Sequence, residues 1–163
     1  MRKAVLSVGL LFIALSLLGC GFFYSVFPTP GPTPIPTNPA LHLPKLSGDW
    51  LVRLAQSGGI AGVSRSLEIS SSGAMTIIET RGGERKVSQL PAEKLAALNE
   101  LVAASTFRPA SLPTGCADCF VFDLRITSAD GNFQAQLDEV SLPDSGLQSL
   151  LDFLAGLLNN TGG

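Results

Sequence analysis

The sequence predicts an α+β domain, an antiparallel sheet of about five to six strands with two helices packed on one face, in the order β-β-β-(β)-α-β-β-α. Apolar and polar residues alternate over several short segments between Trp50 and Asp138, the period of half-buried strands. Two leucine-rich segments, one opening at Pro91 and one near the C-terminus, repeat at helical spacing instead. The strands follow one another through short turns, which makes neighbours antiparallel. Both helices must then cover the same apolar face, leaving the other face partly wet.

The domain is preceded by two segments of different composition. Arg2 and Lys3 open the chain and an uncharged apolar run follows from Ala4 to Leu18. That run ends in Leu17-Leu18-Gly19-Cys20, a small residue before a cysteine, which resembles the lipobox of bacterial lipoprotein signals. Residues 1–19 are then a signal peptide, and Cys20 is the lipidation site carrying several acyl chains, palmitate among them, as stable anchoring requires more than one chain. The alternative is an uncut span running on to Phe27, with Cys20 a buried thiol. Either way the positive N-terminus stays inside and the rest lies outside the cytoplasm. The expected location is therefore extracytoplasmic, lipid-anchored to the cell membrane, or to an outer membrane where the envelope has one.

Residues 20–46 form the tether. Seven prolines (28, 30, 32, 34, 36, 39 and 44) fall between Phe27 and Pro44. Such a tract reads as extended polyproline II, a spacer reaching about 50 Å at ~3.1 Å per residue. The only histidine, His42, falls here and reads as solvated.

The domain itself is expected over residues 47–160. Trp50, Val52 and Leu54 share one face of a first strand, and Val63, Leu67 and Ile69 mark the second. Between them lies Gln56-Ser57-Gly58-Gly59-Ile60-Ala61-Gly62, a glycine-rich loop. Ser71-Ser72-Gly73 turns the chain into a third strand, Ala74 to Thr80. Arg81-Gly82-Gly83-Glu84 turns it again toward a short edge strand, Arg85 to Leu90. Pro91 suits the first turn of a helix, and Leu95, Leu98, Leu101 and Val102 give the segment through Ala104 its apolar stripe. Thr106 to Gly115, with Pro109 and Pro113, reads as a loop. Phe120, Phe122, Leu124 and Ile126 form the clearest strand, and Asp130-Gly131 predicts a type I′ hairpin into a return strand carrying Phe133, Ala135 and Leu137. Asp144 or Ser145 caps the last helix, whose face is Leu147, Leu150, Leu151, Leu154, Leu157 and Leu158.

Composition excludes some functions. Removing residues 1–19 takes Arg2 and Lys3 from the 11 basic residues and none of the 13 acidic ones, so the net charge moves from −2 to −4. Such a chain does not suit binding driven by phosphate neutralisation, so no nucleic acid is expected as partner. With no histidine in the domain, Ser-His and Cys-His nucleophiles are ruled out. Asp118, Asp123 and Asp138 could approach one another on paired strands, but carboxylates on a polar sheet face are usually solvated. No catalytic residues, metal or cofactor are expected, and the chain is read as a non-enzyme.

Two motifs remain. Cys116-Ala117-Asp118-Cys119 has three readings: half of a zinc site, a redox motif, or a structural disulfide. The first lacks a second ligand pair, and the second wants the motif at a helix start rather than before a strand. The disulfide is favoured, as the exported compartment permits it. The glycine-rich loop is either a hairpin connection that needs unusual dihedrals or a contact loop presenting Ile60 as an apolar plug.

The stretch from Arg53 to Ile69, with Ser57-Gly58-Gly59-Ile60-Ala61-Gly62-Val63-Ser64-Arg65 at its centre, resembles emfourin-like proteins, small bacterial inhibitors of thermolysin-like metalloproteases such as protealysin. The likeness extends in order and pattern over Leu51 to Leu158. It implies that Ser57, Gly58, Gly59, Ile60, Ala61, Gly62 and Arg65 form a partner-binding loop, with Ile60 as anchor and Arg65 meeting an acidic rim. The expected function is a cell-envelope lipoprotein whose monomeric domain binds another protein, concretely a secreted metalloprotease that it inhibits. The alternatives are an envelope scaffolding lipoprotein, or a thiol-disulfide oxidoreductase working through Cys116 and Cys119.

Overall fold

Alternation along the chain is carried directly into a sheet with one apolar face. The computed structural model describes residues 39–80, 82–109 and 116–159. Eight strands and two helices occur in it: β1 (Leu41–His42), β2 (Leu51–Gly58), β3 (Val63–Ser70), β4 (Ala74–Glu79), β5 (Glu84–Gln89), α1 (Ala92–Ala104), β6 (Thr106–Phe107), β7 (Phe120–Ser128), β8 (Gly131–Asp138) and α2 (Gln148–Asn159). Six strands form an antiparallel sheet in the order β5-β4-β3-β2-β7-β8, and β1 pairs with β6 in a separate two-stranded ladder. The fold is α+β, as the alternation and the helical spacing predict.

Register explains the core. Leu54 stands between Leu67 and Leu124, and Val52 between Ile69 and Ile126. With Met75, Ile77, Phe122, Ala135 and Leu137 they make the covered face. Leu98 and Val102 of α1 and Leu150, Leu151, Leu154 and Leu158 of α2 complete one continuous core. Each fully buried leucine contributes about 1.5–3 kcal/mol through removal of its apolar surface from water. The opposite face carries Arg53, Glu68, Asp123, Arg125, Gln134 and Gln136 in register, including the Arg53–Glu68 and Arg125–Asp123 ion pairs.

The helices begin and end as their sequences allow. Pro91 precedes α1, and its carbonyl accepts the Leu95 N–H (3.0 Å). Ser105 closes the helix by returning its hydroxyl to the Leu101 carbonyl (2.7 Å). Ahead of α2, the buried Ser145 accepts the Leu147 N–H (3.0 Å). It donates to the Leu142 carbonyl (2.7 Å), so Ser145 rather than Asp144 holds the chain where the helix starts.

Three local features differ from the sequence reading. Leu41–His42, assigned to the tether, pairs with Thr106–Phe107, assigned to a loop, and Leu43 is buried in the core. The folded unit therefore begins before Ser47, because one more leucine finds apolar surface to cover. The β7–β8 hairpin is not type I′, which needs positive φ at both central residues. Among the described residues only glycines have positive φ, so Ala129 and Asp130 lack it and Gly131 (φ 140°) carries it. Gln56, placed in the loop by sequence, continues β2 and is buried beside Arg65 and Phe122.

Candidate functional site

The glycine-rich segment is shorter as a loop than as a motif. β2 and β3 stay paired up to Gly58 opposite Val63, leaving only Gly59 to Gly62 to reverse the chain. The Gly62 N–H donates to the Gly59 carbonyl (2.9 Å), closing a four-residue turn. Gly58, Gly59 and Gly62 all have positive φ (101°, 68° and 56°), a region that disfavours side chains. Ile60 projects from the tip with 94% of its surface exposed. A turn needs no isoleucine there, and no core contact explains it.

A second loop braces the first. Gly58 is opposite Phe120, and the Gly59 N–H donates to the Cys119 carbonyl (3.2 Å). A Cβ on Gly58 would collide with that carbonyl, and one on Gly59 would sit 2.8 Å from the Phe120 ring. Glycine is required here because the backbone of the neighbouring strand approaches so closely. Cys116 and Cys119 are joined by a disulfide, with Cα atoms 5.6 Å apart. It closes the loop immediately before β7 and fixes the residue whose carbonyl receives Gly59. On the far side of β7, Glu139 accepts the Phe120 N–H on its carboxylate (3.0 Å) and donates its own N–H to the Phe120 carbonyl (3.2 Å).

Arg65 faces away from the loop tip. It lies on the covered face of β3, where its Nε donates to Gln56 Oε1 (2.9 Å) and its terminal nitrogen to Asn159 Oδ1 (2.7 Å). Asn159 ends α2, so the guanidinium sits where the helix dipole favours a cation. Ser57 is exposed on the open face and pairs with Ser64. The structure thus brings Gly58–Gly62 together with the Cys116–Cys119 loop and separates Arg65's charged group from them.

The three aspartates do not converge on one site. Asp123 accepts from Arg125 Nε (3.0 Å) and Gln134 Nε2 (3.5 Å). Asp138 accepts both the backbone N–H and the hydroxyl of Ser141, each at 2.8 Å. Those donors, the Ser141 N–H first, hold the Asp138 carboxyl below its ordinary value. Asp118 lies exposed within the disulfide loop. Among the described residues no group of three His, Cys, Asp and Glu is placed to hold a metal ion. Among them, too, no helix is long and apolar enough to cross a membrane. Cys20, the signal segment and the proline tract through Asn38 lie outside the described residues.

Phe120, Glu139 and Val140 belong to this end of the domain, and the sequence does not mark them as site residues. The available signal is that Asp138-Glu139-Val140 puts an exposed valine after the acidic end of the return strand, where a turn expects a polar residue. No protein-family model matches the chain, and no curated protein is similar to it in sequence.

Proposed function

We propose that the chain is a cell-envelope lipoprotein, anchored through Cys20, whose α+β domain binds another protein through the Gly58–Gly62 loop. Its concrete activity is reversible inhibition of a secreted thermolysin-like metalloprotease. The observation that carries this reading is Ile60, 94% exposed on a turn whose backbone is held by the Gly62–Gly59 and Gly59–Cys119 hydrogen bonds. A preorganised loop loses little conformational freedom on binding, so an apolar tip can return most of its burial as affinity. The resemblance of residues 53–69 to emfourin-like inhibitors supplies the protease class, and inhibition of this kind needs no metal ligand from the chain.

The test is titration of the full chain against several thermolysin-like proteases. Stoichiometric loss of activity is expected, and absence of inhibition across the set refutes the protease assignment. Ile60→Glu removes an anchor whose burial is worth about 1.5–3 kcal/mol, so inhibition should weaken about 10- to 100-fold. Because Ile60 touches no core, the same substitution should leave folding stability within ~0.5 kcal/mol. An Ile60→Glu chain that inhibits as well as the parent would sink the loop assignment.

A further inference from the structure

A transverse row of backbone contacts ties three segments together at the end of the sheet that carries Ile60. The β2–β7 register runs out with Gly58 opposite Phe120, and one step further Gly59 is bonded to Cys119. The β7–β8 register runs out with Val121 opposite Asp138, and one step further Phe120 and Glu139 are bonded. β8 ends at Asp138, and Val140 follows Glu139 in a turn that the Leu142 N–H closes onto the Asp138 carbonyl (3.0 Å). The Gly59–Cys119 and Phe120–Glu139 bonds bring the glycine turn, the disulfide loop and this turn to the same end of the sheet.

Ile60 and Val140 are two of the large apolar residues left exposed among the described residues, at 94% and 56%. The half-buried Phe120 and the disulfide loop join their two turns, through Glu139 on one side and Gly59 on the other. The charge beside them has one sign on the β7–β8 side. Residues 116–120 and 138–141 contain Asp118, Asp138 and Glu139 and neither Lys nor Arg. Of these, Asp118 and Glu139 are exposed. Arg65, the basic residue nearest the loop in sequence, is engaged by Gln56 and Asn159 instead. The other flank, the β4–β5 turn, mixes Glu79 and Glu84 with Arg85.

We infer that Ile60, the Cys116–Cys119 loop and Val140 form one contact surface, and that its partner is a protein with an apolar cleft rimmed by Lys or Arg on the β7–β8 side. This rests on the protein-binding reading of the glycine loop and adds two contact elements and the partner's charge. Ile60 enters the cleft, the disulfide loop and Val140 cover its edge, and Asp118 meets the cationic rim. Opposite charges at such a rim act mainly on encounter and specificity, and their effect is screened by salt.

The test places a photo-crosslinking residue singly at positions 60, 118, 140 and 87 of the full chain, expressed in its own cells. Val87 is also exposed (67%) but sits on the edge strand β5, and serves as control. Adducts of one common mass at 60, 118 and 140, with none at 87, are expected. An adduct at 60 without adducts at 118 and 140 overturns the enlarged surface and leaves the loop reading standing. No adduct at 60, or equal adducts at 87, removes both. With the crosslinker at 60, Asp118→Lys should lower the adduct yield at least tenfold at low salt, with the unfolding midpoint unchanged. An unaltered yield overturns the cationic rim.

Discussion

Gly58→Ala should destabilise the protein by more than the strain of its positive φ alone. At φ 101° an added Cβ is strained by itself, at a cost of about 1–2 kcal/mol. It would also collide with the Cys119 carbonyl, an atom held in the backbone just before β7 and unable to swing aside like a side chain. Relief requires the strand start to move, which breaks the Gly59–Cys119 hydrogen bond (3.2 Å), worth about 0.5–1.5 kcal/mol. The sum is roughly 1.5–3.5 kcal/mol from those two effects. Gly83→Ala gives the reference for positive φ without a collision, since Gly83 has φ 63° and nothing within 4 Å of its would-be Cβ. Urea unfolding of the full chain with the disulfide intact measures both variants. The expected excess loss at position 58 is about 1 kcal/mol or more. If Gly58→Ala costs no more than Gly83→Ala, the close approach of the two loops carries no energy and the bracing argument fails.

Arg65→Ala removes two side-chain hydrogen bonds and should lower stability by about 1–3 kcal/mol in the same assay. It should leave the protease titration unchanged, whereas a weakened titration at unchanged stability would return Arg65 to the contact surface. Opening the disulfide, by a dithiol or by Cys116→Ser with Cys119→Ser, releases only a four-residue loop. Chain entropy limits the stability loss to about 2 kcal/mol, while hydrogen exchange at the Gly59 amide should accelerate by more than at amides of the sheet centre. Asp138 has a carboxyl pKa lowered by Ser141 from its ordinary 3.8. Its contribution to stability is therefore complete above that value and is lost as pH falls through the lowered one. Carboxyl NMR titration should show the low midpoint, and Ser141→Ala should raise it; a midpoint indifferent to Ser141→Ala refutes the assignment.

The sheet was legible because its covered face is apolar at every second residue. Val52, Leu54, Leu67, Ile69, Leu124 and Ile126 can be read off the chain before any pairing is known. The two helices announced themselves through Pro91 and the leucine spacing. Short or exceptional pairings left no such signal. Leu41–His42 and Thr106–Phe107 are two residues each, too brief for a period, and the first is masked by the surrounding prolines. The β7–β8 turn failed for another reason. Asp-Gly supplies a residue that accepts positive φ, but the sequence does not say which position of the turn will use it.

The loop was legible as a motif, while its surroundings were not, and the difference is physical. Three glycines in five residues declare a backbone need whatever the fold. Val140 declares nothing until the sheet order brings β8 beside β7 and β7 beside β2. Only then does the turn with an exposed valine come to the same end of the sheet as the turn with an exposed isoleucine. Neither residue is accounted for by the fold. The turn closes through its backbone, from Gly62 to Gly59, and the core is continuous without Ile60 or Val140. A polar residue at either position would satisfy every local preference of a turn. Where local chemistry departs from the rule that the rest of the chain obeys, function is the better explanation than packing. The rule is obeyed in the neighbouring turns, Ser71-Ser72-Gly73 and Ala129-Asp130, at the opposite end of the same sheet. The two ends are built from the same strands with the same pairing. Their hairpin turns differ: those at one end carry small and polar residues, while the other end presents Ile60 on a glycine turn braced by a disulfide loop.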